Sequence, residues 1–304
     1  MRRALGALLA LALLAPAPAS AVPDCKRYPE ARVIADGMGT LESAIMDPRG
    51  RLLFTGDGAL MRMEAPGSEP EVVVGGVTGP GGLAFGLDGF LYMGFGDTIA
   101  IGAQGDVDPQ AGLLRIDPET GESTTFAEGL SMANGVVRGP DGAFYASNDI
   151  VGGIDRISPE GAVEHRWADV VSANGLVVDR AKAHLLSAQT FTTAGIARVD
   201  LDDPARTENY FTAPPEDAGA GLDGMVRDRR DRLYVAANGA GEIWRVNREP
   251  EACSLASMPG FPAGPSALTF GRGKRGFDRS NLYVVNFAGE VIELAGVRGP
   301  RRKN

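Results

Sequence analysis

Six positions in the 304-residue chain hold oxygen-donor or small side chains at the same point of a recurring pattern: Glu42, Gly81, Asn134, Asn174, Asp223 and Ser266. Each opens a short apolar run, as in Leu41-Glu42-Ser43, Gly81-Gly82, Asn134-Gly135, Asn174-Gly175, Asp223-Gly224 and Ser266-Ala267. Two carboxylates and two amides at equivalent places are a hard-cation inventory, all oxygen donors with neither thiolate nor imidazole. Ca²⁺ suits it best, because that ion takes about 6 to 8 oxygens in flexible geometry; Mg²⁺ is the second choice. Taken singly, an Asn-Gly or Asp-Gly pair before a strand is a turn signal. Glu42 has no such turn preference, and the repetition at equivalent places is what carries the cation reading.

The elements that must position these residues follow from the same pattern. The runs at 44–46, 83–85, 135–137, 175–178, 225–226 and 267–270 are predicted first strands. Turns such as Leu87-Asp88-Gly89 and Gly139-Pro140-Asp141-Gly142 supply the left-handed or preset φ that tight hairpins need. Second strands are predicted at 52–55, 90–93, 143–146, 184–187, 233–236 and 282–285, and third strands at 60–63, 113–116, 154–157, 196–199, 243–246 and 291–294. Fourth strands are predicted at 71–74, 123–127, 163–167, 208–211 and 252–256. Six repeats of four short strands predict an all-β, six-bladed β-propeller. Its inner strands line the central channel, so their first residues converge at one end of the axis.

The sixth repeat lacks a fourth strand, and the segment 31–35 is a spare one near the start. Pairing it outside 291–294 closes the ring with both ends of the chain. Cys25 precedes that closing strand and Cys253 lies on the outer strand of the fifth repeat; the only two cysteines of an exported chain are expected to form a disulfide.

Residues 1–21 read as a secretory signal: Arg2 and Arg3, an Ala/Leu run, then Ala19-Ser20-Ala21 as a small-residue cleavage site. That leaves 22–304 as one domain with a short basic C-terminal tail, Arg298 with Arg301, Arg302 and Lys303. The product is expected to be secreted or periplasmic, monomeric and without a membrane span. The formal charge of −9 speaks against a nucleic-acid partner, which needs a basic surface. The two histidines, His165 and His184, fall on an outer strand and at the start of a second strand away from the cation end, and are expected to be packing or surface residues.

The segments Leu41-Glu42-Ser43-Ala44 with Asp47-Pro48-Arg49-Gly50, Ala133-Asn134-Gly135, Ala173-Asn174-Gly175-Leu176 and Leu222-Asp223-Gly224-Met225 resemble the senescence-marker-protein/gluconolactonase family, which includes luciferin-regenerating-enzyme-like proteins. They are similar also to calcium-dependent diisopropyl fluorophosphatases and, more distantly, to paraoxonases. The resemblance implies a divalent ion held by Glu42, Asn134, Asn174 and Asp223, polarising a carbonyl or phosphoryl oxygen, with Asp223 also the catalytic base or nucleophile. Met132 stands where sugar-lactonases of the family have an arginine, which weakens a sugar acid as substrate.

The segments that follow the second strands return to the cation end and should form the pocket walls. The longest, 95–111, holds Asp97, Asp106 and Asp108, and Asp106-Val107-Asp108 hints at a second cation. Phe95, Met132, Phe191, Met225 and Phe287 are the candidate apolar, substrate-binding rim. The function expected is a Ca²⁺-dependent hydrolase of a lactone or ester; the alternative is a small-ligand-binding or signalling propeller in which the ion is structural.

Overall fold

The computed structural model describes residues 20–298, so most of the predicted leader and the basic residues 301–303 lie outside the described residues. Six four-stranded antiparallel sheets form a ring, a six-bladed β-propeller. The innermost strands, in chain order, are Leu41–Met46, Leu83–Phe85, Val136–Arg138, Ala173–Val178, Leu222–Arg227 and Pro265–Phe270. Each touches the inner strand of the blade before and after it, and the last touches the first.

Burial across a blade explains why the strands were easy to see in the sequence. Second strands such as Leu52–Gly56, Leu233–Ala237 and Leu282–Asn286 are buried at every residue, because neighbouring blades cover both their faces. They are therefore nearly continuous apolar runs. Outer strands such as Glu71–Gly75 face solvent and carry charge. Aromatic side chains fill the wedges between blades: Tyr92 packs against Phe126 and Phe144, and Tyr234 meets Phe270 edge-on.

The ring closes as expected. Ala31–Ala35 pairs outside Val291–Leu294, with Arg32 opposite Glu293. Cys25 and Cys253 are bridged, with 5.0 Å between their Cα atoms. Just before the bridge, the chain lies beside the outer strand Ala252–Ser257: Cys25 N–H donates to the Ser254 carbonyl at 2.7 Å and Ser254 N–H to the Pro23 carbonyl at 2.8 Å. The N-terminal segment thus spans two blades, the fifth through the disulfide and the sixth through a strand. Arg298 departs from the solvated tail expected of it, because its guanidinium stacks 3.3 Å over the Phe270 ring.

Candidate metal centre and active site

Backbone register decides which side chains enter the channel. Between Leu41 and Ser43 the ladder slips by one residue, leaving Glu42 unpaired. The same slip falls between Ala173 and Leu176, between Leu222 and Met225, and between Pro265 and Ala267, at Asn174, Asp223 and Ser266. Such bulges re-aim a side chain away from the pleat. Here they turn Glu42, Asn174 and Asp223 into the central cavity, of about 300 Å³, which Asn134 also lines.

Cross-blade hydrogen bonds hold these strand starts. Thr55 Oγ1 donates to the Gly81 carbonyl (2.9 Å), Ser147 Oγ to Asn174 (2.7 Å), Thr190 Oγ1 to Leu222 (2.7 Å) and Asn238 Nδ2 to Pro265 (3.1 Å). Ser266 Oγ links the sixth blade to the first by donating to the Leu41 carbonyl at 2.6 Å, so this hydroxyl serves the framework. The blades approach so closely that a Cβ on Gly175 would lie 2.5 Å from the Asp223 carbonyl oxygen.

Two further acids join the predicted set. Asp97 accepts from Asn134 Nδ2 at 3.2 Å, and Asp149, 6% exposed, has an Oδ1 with no hydrogen-bond partner. Burial and then the charges of Asp97, Asp223 and Asp149 push the Glu42 carboxyl well above the ordinary range. Asp223 is raised by burial and by Asp149 and Asp97, against opposing bonds from Gly224 and Asn174. Burial and Asp149 bring Asp97 up to about 7, and burial brings Asp149 to about 6. Four carboxylates thus feel one another in a space whose one basic lining residue among those described, Arg138, ends its inner strand at the far mouth and donates to the Phe85 carbonyl.

Among the described residues, no three His, Cys, Asp or Glu side chains are gathered closely enough to enclose an ion by themselves. The donor set instead combines acids with amides. Asn174 Nδ2 is bound to Thr190 Oγ1 at 2.9 Å, and Asn134 Nδ2 to Asp97, which fixes both amide planes. A divalent cation fits this set: it would neutralise mutually repelling buried carboxylates and give the orphaned Asp149 oxygen a partner.

Residues 143–287 match the SMP-30/Gluconolactonase/LRE-like region. The matched stretch runs from the third blade into the sixth and contains Asn174 and Asp223, while Glu42 and Asn134 precede it. No curated protein matches the chain in sequence. Among solved structures, a gluconolactonase from Xanthomonas campestris aligns with TM-score 0.70 and 15% identity over 92% of this chain and 99% of that one. A calcium-binding protein, regucalcin, from Agrobacterium tumefaciens aligns with TM-score 0.66 and 19% identity, covering 88% and 94%. A luciferin-regenerating enzyme gives TM-score 0.67 and 13% identity over 89% and 96%. At these identities the likeness is one of fold, and the fold is the one the sequence predicts.

Of the five apolar residues expected at the rim, Met225 lines the cavity; Phe95, Met132, Phe191 and Phe287 do not. Met132 is 3% exposed beneath the short helix Ile99–Gln104, Phe95 lies over Gly112, and Phe191 is 69% exposed. The Asp106 carboxylate pairs with Arg166 Nη1 at 2.8 Å, and Asp108 accepts from Gln110. The histidines stay outside the site, His165 beside Asp155 and His184 beside Asp179.

Proposed function

We propose that this protein is an exported, divalent-cation-dependent hydrolase of a lactone or ester, with Ca²⁺ the favoured ion and Asp223 the catalytic residue. The observation that carries the reading is the convergence of Glu42, Asn134, Asn174 and Asp223 on the channel, with Asp97 hydrogen-bonded to Asn134. Glu42, Asn134, Asn174 and Asp223 would hold the ion, with Asp97 and Asp149 beside them. When bound, a divalent ion there supplies a Lewis acid for a carbonyl or phosphoryl oxygen.

The chain's own groups do the rest. Burial, and then the charges of Asp149 and Asp97, raise Asp223, which makes its carboxylate a stronger base near neutral pH. Asp223 takes a proton from the attacking water as the water oxygen bonds to the acyl carbon. The carbon–oxygen bond to the leaving group then breaks, and the proton passes to the departing oxygen.

The exposed Ile99, Val107, Val171, Phe191 and Phe261 all belong to segments at the cation end of the blades. Apolar side chains exposed around the mouth favour an apolar or aromatic ester or lactone over a sugar lactone. The bridged Cys25–Cys253 pair supports an oxidising compartment. The test is a screen of aryl esters, aliphatic lactones, sugar lactones and phosphotriesters with Ca²⁺ and with a chelator. Chelator-sensitive turnover of an apolar ester or lactone is expected. Cation binding without turnover on any of them would leave a binding propeller instead.

A further inference from the structure

Val22 is 3% exposed, in a core cluster with Phe211, Leu222 and Trp244. Its backbone nitrogen lies 2.8 Å from Oδ2 of Asp217, itself only 8% exposed. The other donor to that oxygen is the Ser20 hydroxyl at 3.3 Å. Among the described residues no lysine, arginine or histidine forms an ion pair with Asp217. A buried carboxylate served by one amide and one hydroxyl is poorly compensated for the water it has lost. The small-residue signature Ala19-Ser20-Ala21 ends immediately before Val22.

We propose that export processing cuts the Ala21–Val22 bond and that the α-ammonium released at Val22 closes onto Asp217 as a buried ion pair. The cut is a hydrolysis by a small-residue-specific signal peptidase. Water adds across the peptide bond, its oxygen leaving with the leader as the Ala21 carboxylate and its protons going to the Val22 nitrogen. That nitrogen offers one hydrogen to Asp217 in the uncut chain. After the cut it carries a full charge at the same place, and a charge-assisted bond replaces a neutral donor.

The consequence is structural. Asp217 lies in the 3₁₀ turn Pro215–Asp217 ahead of the inner strand that carries Asp223, and three residues after Val22 the chain is bridged to the fifth blade. The ion pair therefore fixes the start of the closing segment, and a chain still carrying its leader lacks it.

Mass spectrometry of the exported protein should give Val22 as the first residue; a mature chain beginning at Ser20, or retaining the leader, overturns the proposal. Asp217→Asn is then compared in two backgrounds, the exported chain and a chain with Ala-Glu inserted between Ala21 and Val22, so that Val22 keeps a peptide bond. Asp217→Asn should lower Tm on the order of 5 °C in the first and much less in the second. Equal losses in both would show that Asp217 needs only the amide. Should Asp217→Asn not fold, acylation of the Val22 amine in the wild-type protein decides: slow labelling when folded and fast when unfolded is expected, and equal rates would refute the pair.

Discussion

Asp97 fills the space that a side chain on Gly81 would need: a Cβ at Gly81 would lie 3.0 Å from Asp97 Cβ and 2.1 Å from the Ala133 carbonyl oxygen. In the second blade the inner strand thus contributes no donor of its own, and the acid arrives from the segment after the second strand. Gly81→Ala should therefore displace Asp97 and shift backbone at Ala133, and both Ca²⁺ affinity and Tm should fall. Calorimetry and thermal melts check this; unchanged Ca²⁺ affinity would mean that Asp97 contributes nothing to the site.

The blades were legible because second strands are apolar on both faces and Asp-Gly or Pro-Asp-Gly turns punctuate them. The convergence of Glu42, Asn134, Asn174 and Asp223 on the channel was legible because each precedes a small residue at a strand start, which is the sequence form of the bulge at Glu42, Asn174 and Asp223. Asp97 was visible only as one acid of a long loop, and Asp149 did not stand out at all. Their common signal is place: each stands two residues beyond the end of a second strand, Leu91–Phe95 and Phe144–Ser147, where the other blades carry no acid. Met132 was expected at the rim, but a helix of six residues, capped by the Thr98 hydroxyl, folds over it. Nothing in the loop's composition distinguishes a residue beneath such a helix from one at a pocket wall.

Stability without a cation should depend on pH with a definite sign. Asp97 and Asp149 titrate near 7 and 6 in the folded protein, above the ordinary carboxylate value of about 3.9. Between pH 8 and 5 the folded chain therefore binds protons that the unfolded chain does not, so stability rises as pH falls. In chelator, Tm should increase from pH 8 to 5; saturating Ca²⁺ should flatten the slope, and so should Asp97→Asn without the ion. A slope that Asp97→Asn leaves intact would assign the effect to other groups.

Ring closure rests on Glu293 as well as on the disulfide. Burial pushes this carboxyl up, but bonds from Arg32, Asn281 and Tyr283 outweigh it and hold the group below the ordinary range. Its contribution is present above the unfolded value and is lost as pH falls through the folded one, in the acid region below about 4. Glu293→Gln should cost on the order of 2 kcal/mol at neutral pH, read from denaturant melts. No loss at neutral pH would remove Glu293 from the closure.

Reducing Cys25–Cys253 should cost about 2 to 5 kcal/mol, because the bridge closes a loop of 228 residues in the unfolded chain. Non-reducing mass spectrometry should find no free thiol in the exported protein. Two titratable thiols in the folded state would contradict the bridge.

Glu42 and Asp223 should separate by function although both face the ion. Glu42→Gln keeps one donor oxygen and the length of the side chain but removes a charge, so Ca²⁺ affinity should fall and activity should return at high Ca²⁺. Asp223→Asn keeps a donor oxygen too, yet removes the group that accepts the proton. Its loss should persist at saturating Ca²⁺ and appear in kcat, by about 10² to 10⁴-fold, the range for a positioned acid–base group. Neither substitution should unfold the chain, because each relieves repulsion among the four acids. Calorimetric Ca²⁺ binding and turnover across a Ca²⁺ titration test both variants together. Restoration of Asp223→Asn to wild-type kcat by Ca²⁺ alone would reduce Asp223 to a ligand and move the base to another group, of which Asp97 and Asp149 are the nearest in kind.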